Sequence, residues 1–216
     1  MAQAQSLENA HVQHHFRSSD QQFSSSKLGM WLFLFTEVMF FGGLFVAYII
    51  YRAWNPELFT MAATELSTVL GGINTVVLIG SSLTCALAIR AAQTNNQKMI
   101  VNYLLVTIVL ATVFLVIKYF EYTAKFEVGI LPGGMYTFEG IDHPKASVFF
   151  SIYYMMTGLH GIHVIIGIGL MIWLVVKARA GAYSSAYYTP VEITGLYWHL
   201  VDIIWIFLFP LMYLID

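Results

Sequence analysis

Five long apolar runs separated by polar breaks account for almost all of the chain after residue 27. A helix rises 1.5 Å per residue, so crossing a hydrocarbon core about 30 Å thick takes roughly 20 apolar residues. Residues 28–51, 67–90, 101–126, 147–176 and 191–214 all reach that length. The pattern predicts an all-α membrane protein, with residues 28–216 forming a bundle of five transmembrane helices. Residues 1–27 are polar and serine-rich, lack the apolar core and cleavage site of a signal peptide, and are expected to be a flexible segment. His11, His14 and His15 within them have no carboxylate cluster beside them, which favours a plain terminus over a metal-binding tail.

The breaks are short except for EVGILPGGMYTFEGIDHPKA between the third and fourth runs, where Pro132, Gly133, Gly134 and Pro144 predict an ordered surface loop. No second domain fits, and no inverted repeat of the transporter kind is present. Five spans put the termini on opposite sides. Arg17, Lys27, Arg90, Lys98, Lys177 and Arg179 collect on the N-terminal side, against Arg52, Lys125 and Lys145 on the other. The positive-inside rule then places the N-terminus in the cytoplasm.

Composition strengthens the membrane reading and removes other classes. The 216 residues are 58% hydrophobic and 10% charged, where a soluble domain carries about 25% charge. Net charge is −2, so no basic face is available for phosphates and nucleic acid is not a partner. The single cysteine, Cys85, excludes an intramolecular disulfide and a cysteine metal cluster.

A polar side chain in hydrocarbon is costly, so each one inside a span needs a partner or a function. At 100° per residue, Ser67, Asn74, Ser81 and Cys85 of the second run fall within about 40°, a seam suited to close packing. In the last run Glu192, Gly195, His199, Asp202 and Tyr213 share a stripe about 80° wide, with Trp198 and Trp205 displaced from it. That stripe is expected to face protein and the rest lipid. His199 and Asp202 are three apart and can pair. Lys118 and Glu121 in KYFEY can also pair, with Lys118 snorkelling towards headgroups. In TGLHGIHVIIG, His160, His163 and Gly167 fall on one side, offering hydrogen bonds across one contact, while Gly158 and Gly161 on another would allow close backbone approach.

Glu37 in WLFLFTEVMFFGGLF is the sharpest anomaly, about 14 Å along its run and therefore mid-membrane. Phe33, Phe41, Leu44 and Tyr48 share its face, and the carboxyl group is expected to be protonated or paired. A metal site from His160, His163, His199 and Asp202 is chemically conceivable, as is a bis-histidine haem using His199, but the ligands are few. A proton carrier using Glu37 and the histidines competes with them. The residues alone support a five-helix bundle with buried polar contacts and leave these chemistries open behind helix packing.

YWHLVDIIWIFLFPLMYL and TGLHGIHVIIG, together with KYFEY and GMWLFLFTEVMFFGGLFVAY in the same order, closely resemble subunit III of the haem-copper terminal oxidases, the cytochrome c oxidases above all. The resemblance covers roughly residues 27–216. It lacks counterparts of the first two helices of seven-helix members, which wall a lipid-holding cleft there. The resemblance implies a subunit with no catalytic residue, metal, haem or cofactor of its own, in the bacterial cytoplasmic (inner) membrane. It would pack against subunit I, alongside subunit II and other respiratory subunits that carry the haem and copper, bind structural phospholipids, and support proton uptake into subunit I. Glu37 matches the family's carbodiimide-reactive buried glutamate. Glu121, His160, His163, Glu192, His199 and Asp202 match polar helix positions used for interhelix contacts and lipid headgroups. Cytochrome c is the expected electron donor; a quinol oxidase subunit and a stand-alone carrier using Glu37 are the alternatives.

Overall fold

Ser18 ends the polar N-terminal stretch by capping a helix: its side chain accepts from Gln21 N at 3.2 Å, and Asp20 lies in the first turn, where a carboxylate favours the helix dipole. This helix, α1 (Ser19–Trp54), begins nine residues before the apolar run. The expectation of a flexible segment through residue 27 is therefore corrected for residues 19–27. The serines there are compatible with helix because they bond within it, as Ser26 Oγ does to Gln22 O at 2.8 Å. The structure, a computed structural model, describes residues 12–215; His11 lies outside them, while His14 and His15 are exposed and touch each other.

Five more α-helices follow: α2 (Pro56–Thr64), α3 (Thr68–Gln93), α4 (Gln97–Glu127), α5 (Ala146–Arg179) and α6 (Thr189–Tyr213). All but α2 are long and apolar enough to cross a membrane, and the limits of α3 to α6 differ from those expected by at most four residues. Ser67 and Asn96 cap α3 and α4 by accepting from Leu70 N and Met99 N. The α3–α4 turn needs Asn95 at φ 59°, a left-handed conformation that asparagine tolerates. The long loop carries a single 3₁₀ turn, Gly133–Met135.

The short helix α2 was not expected. Pro56 starts it without losing a needed donor. Leu58, Phe59, Ala62 and Ala63 form its buried face, a helical spacing that the sequence carries but that is too short to read as a span. Phe59 sits edge-on between Tyr48 (5.3 Å) and Phe149 (5.0 Å), tying α2 to α1 and α5.

Helix α6 is the hub, packed against α1, α2, α3 and α5. This corrects the narrow protein-facing stripe: Trp198 and Trp205, expected off it, are fully buried. Contact from several sides widens the buried arc, and each indole N–H finds a hydroxyl, Ser81 Oγ at 3.1 Å for Trp198 and Thr75 Oγ1 at 3.0 Å for Trp205. The α3 seam is buried as expected at Asn74, Ser81 and Cys85, with Ser67 capping, but neither polar atom of the Asn74 side chain has a hydrogen-bond partner among the described residues.

The glycine expectation fails at both its positions, and Gly167 makes the close approach instead. A Cβ on Gly158 or Gly161 would meet nothing within 4 Å, so neither admits a neighbouring backbone of this chain. On Gly167 it would stand 2.5 Å from the Trp198 ring, which is the close approach the α5–α6 contact requires. Helix α1 is held most lightly. Leu28, Trp31, Leu32, Phe35, Val38 and Met39 are all exposed, and Tyr48 anchors its far half by donating to Leu211 O.

Candidate functional site

Glu37 is paired. Its Oε2 lies 3.0 Å from His163 Nε2, joining α1 to α5, with both side chains mostly buried at 17% and 15% exposure. The other ring nitrogen, Nδ1, lies 2.8 Å from Leu159 O. A carbonyl only accepts, so Nδ1 carries a hydrogen. Nε2 then accepts from a protonated Glu37, or a doubly protonated ring donates to a carboxylate; both forms hold the same number of protons. The pair can shift one proton internally without exchanging it with its surroundings. Phe41 packs edge-on to the imidazole at 5.2 Å, and Tyr197 OH donates to His163 O at 3.0 Å, fixing the helical turn that carries it.

A second cluster joins α4, α5 and α6. Lys118 Nζ lies 2.9 Å from Glu121 Oε2, and the side chains are 9% and 3% exposed. Glu121 Oε1 accepts from Tyr153 OH at 2.9 Å and Tyr213 OH at 2.7 Å. Lys118 also donates to Tyr213 OH and sits over the Trp205 ring at 4.7 Å. The expectation that Lys118 snorkels to headgroups is corrected: one carboxylate, one phenol hydroxyl and three aromatic rings inside the bundle offer it more than the interface does. Tyr122 and Thr157 share a hydrogen bond beside this cluster. Tyr153 carries a signal that sequence reasoning missed, because it precedes His160 by seven residues and so shares its face.

His160 and His163 do not serve one contact. His160 is fully buried, with Phe114 at 5.4 Å and Trp205 at 5.2 Å, and neither ring nitrogen has a partner among the described residues. The expected His199–Asp202 pair is also absent. His199 Nδ1 turns to Ser82 Oγ on α3 at 2.7 Å. Asp202 is buried with neither oxygen at hydrogen-bond geometry. Ser82 lies near enough to interact with both His199 and Asp202. Glu192 pairs with Lys27 across α6 and α1 at 2.6 Å, near the polar N-terminal end.

The four side chains conceived for a metal do not gather at one point, and among the described residues no three His, Cys, Asp or Glu side chains converge to hold an ion. Outside the spans, burial and the nearby Glu65 carboxylate push the Tyr136 phenol above its ordinary range.

A family profile described as cytochrome c oxidase subunit III matches residues 7–216. A cytochrome c oxidase subunit 3 from Thermostichus vulcanus is 34% identical over 193 residues, 87% of this chain and 86% of that protein. A probable quinol oxidase subunit 3 from Staphylococcus haemolyticus is 28% identical over 190 residues, 88% and 89% of the two chains. A heme-copper oxidase subunit I+III from Aeropyrum pernix is 31% identical over 197 residues, 86% of this chain and 22% of that protein.

Proposed function

The chain belongs to the cytochrome c oxidase subunit III family, and on that premise we propose that it is the non-catalytic third subunit of a bacterial cytochrome c oxidase. It is a multi-pass membrane subunit of an oxidoreductase complex. In the proposed arrangement it lies in the cytoplasmic (inner) membrane with its N-terminus inside, packs against subunit I, and stands beside subunit II and other respiratory subunits. Haem and copper reside in those partners, which reduce oxygen and pump protons. Its own tasks are to stabilise subunit I, to hold structural phospholipids and to sustain proton uptake.

The observation that carries this reading is a profile match running almost the whole length of a chain that has five helices long and apolar enough to cross a membrane. The polypeptide from Aeropyrum pernix that is named as subunit I and subunit III together supports direct contact with subunit I. The polar groups fit a supporting role: Glu37–His163, Lys27–Glu192 and Lys118–Glu121 each join helices or sit among residues that do. Glu121, His160, His163, Glu192, His199 and Asp202 are proposed as interhelix or lipid-headgroup contacts, and Glu37 as the proton-linked carboxyl group.

Relatives named as quinol oxidase subunits favour a second reading, in which the same subunit serves a quinol oxidase. Identifying whether a copper-binding subunit II co-purifies separates the two. For the shared core of both readings, the complex is purified and its visible spectrum followed as subunits are stripped. Haem bands should leave with the partners; bands that stay with this polypeptide refute the proposal. A stand-alone carrier through Glu37 predicts proton flux in vesicles holding only this chain, lost in Glu37→Gln.

A further inference from the structure

At the end of α4, Lys125 is only 6% exposed yet lines an open cleft of about 300 Å³. Its ammonium has three N–H groups. One donates to Glu65 O at 2.8 Å; the others meet no acceptor among the described residues. Glu65 lines the same cleft, and its carboxylate makes no hydrogen bond among the described residues. Glu121 also borders the cleft, but its oxygens are taken by Lys118, Tyr153 and Tyr213. The cleft therefore offers a ligand one positive and one negative group, with the internal Lys118–Glu121 pair cancelling itself.

The walls beneath are apolar. Val109, Val113, Val116 and Phe120 are exposed and, at 100° per residue, lie within about 60° on α4. Val109, Val113 and Val116 line a second groove of about 290 Å³ further along the same helix. Val109 to Phe120 spans about 16 Å, close to one leaflet of a hydrocarbon core about 30 Å thick. An amphiphile placed here would have its charged end at Lys125 and its chain along this face.

We infer that the cleft between the last turn of α4 and Glu65 binds a zwitterionic phospholipid of the phosphatidylethanolamine class, with its phosphate on Lys125 and its ammonium on Glu65. An acyl chain follows the Val109 to Phe120 face. The inference rests on the membrane placement of the chain and not on which oxidase it serves. A matched positive and negative group favours a net-neutral headgroup over an anionic one, and the apolar continuation favours a lipid over a free phosphate or a partner's acidic side chain.

The test uses the whole complex, delipidated and then exposed in mixed micelles to phosphatidylethanolamine, phosphatidylglycerol or diacylglycerol of the same chains. Lipids retained on this subunit are counted by native mass spectrometry, and a photoreactive acyl chain maps the contact. The wild-type chain should retain phosphatidylethanolamine and label α4. Lys125→Gln should weaken retention about tenfold, Lys125→Arg should preserve it, and Glu65→Gln should erase the preference over phosphatidylglycerol. Lys125→Gln keeps a donor for Glu65 O, and the arginine and Glu65 variants carry the test if it does not fold. Unchanged retention in folded Lys125→Gln, or diacylglycerol held as well as the phospholipids, overturns the proposal. So does displacement of the lipid by millimolar inorganic phosphate, which would assign the cleft to a free anion. Loss of a partner subunit from Lys125→Gln with the lipid retained would assign it to a polypeptide.

Discussion

Replacing Lys118 by methionine should destabilise the bundle far more than replacing Lys118 and Glu121 together. Lys118 and Glu121 are 2.9 Å apart with 9% and 3% side-chain exposure, so removing the ammonium leaves a carboxylate in the interior. Breaking such a pair from one side typically costs about 3 to 5 kcal/mol. Tyr153 and Tyr213 still donate to Glu121 Oε1, which puts the expected loss at the lower end, about 3 kcal/mol, on the order of a hundredfold in the unfolding equilibrium. Glu121→Gln strands the ammonium over Trp205 and should cost a similar amount. The double variant leaves only neutral groups, for which exchange of a buried pair is often close to neutral, and should cost about 1 kcal/mol. The coupling between the two positions is then about 5 kcal/mol, larger than for ordinary contacts because each single variant strands an unpaired buried charge. Unfolding in mixed micelles, followed by tryptophan fluorescence, measures it because Trp205 lies 4.7 Å from Lys118 Nζ. Additive losses in the double variant would show that the two side chains act independently, and the account of the cluster would be wrong.

Three further outcomes follow from other contacts. Glu37→Gln keeps a hydrogen bond to His163 and should cost at most about 1 to 2 kcal/mol, leaving the complex assembled on purification; collapse of the complex would instead mark an essential ion pair. Gly167→Ala drives a methyl group into Trp198 and should lose about 1 to 3 kcal/mol in thermal unfolding, whereas Gly158→Ala on the same helix should change the isolated chain by no more than about 0.5 kcal/mol; equal effects would contradict the packing. Lys27→Gln breaks a contact whose lysine is 37% exposed and should cost no more than about 1 kcal/mol, shrinking further in high salt; a larger, salt-insensitive loss would argue against a screened surface pair.

The sequence specified more of the fold than of the site. The spans α3 to α6 begin and end close to where hydrophobicity changes, because the bilayer thickness sets a length that composition can satisfy or not, while α1 extends nine residues before its apolar run. Helix α2 escaped because nine residues cannot cross a membrane. Its start at Pro56 and its buried face at Leu58, Phe59, Ala62 and Ala63 were nonetheless present in the letters. At the site, burial of Asn74, Ser81 and Asp202 and the need of Glu37 for a partner were legible from the cost of polar groups in hydrocarbon. The identities of the partners were not.

The reason is geometric. A helical wheel places His160 and His163 on one side to within tens of degrees, but α5 is met on that side by different helices, so His163 reaches Glu37 while His160 lies between Phe114 and Trp205. The same limit explains His199, which turns from its near neighbour Asp202 to Ser82, 117 residues away, and Trp198 and Trp205, buried because α6 is surrounded. Sequence determined how many helices span the membrane and which polar side chains are buried within them, since both follow from the solvent each residue can tolerate. Only the tertiary structure decided which pairs form, since that depends on how each helix is rotated against neighbours far away in the chain.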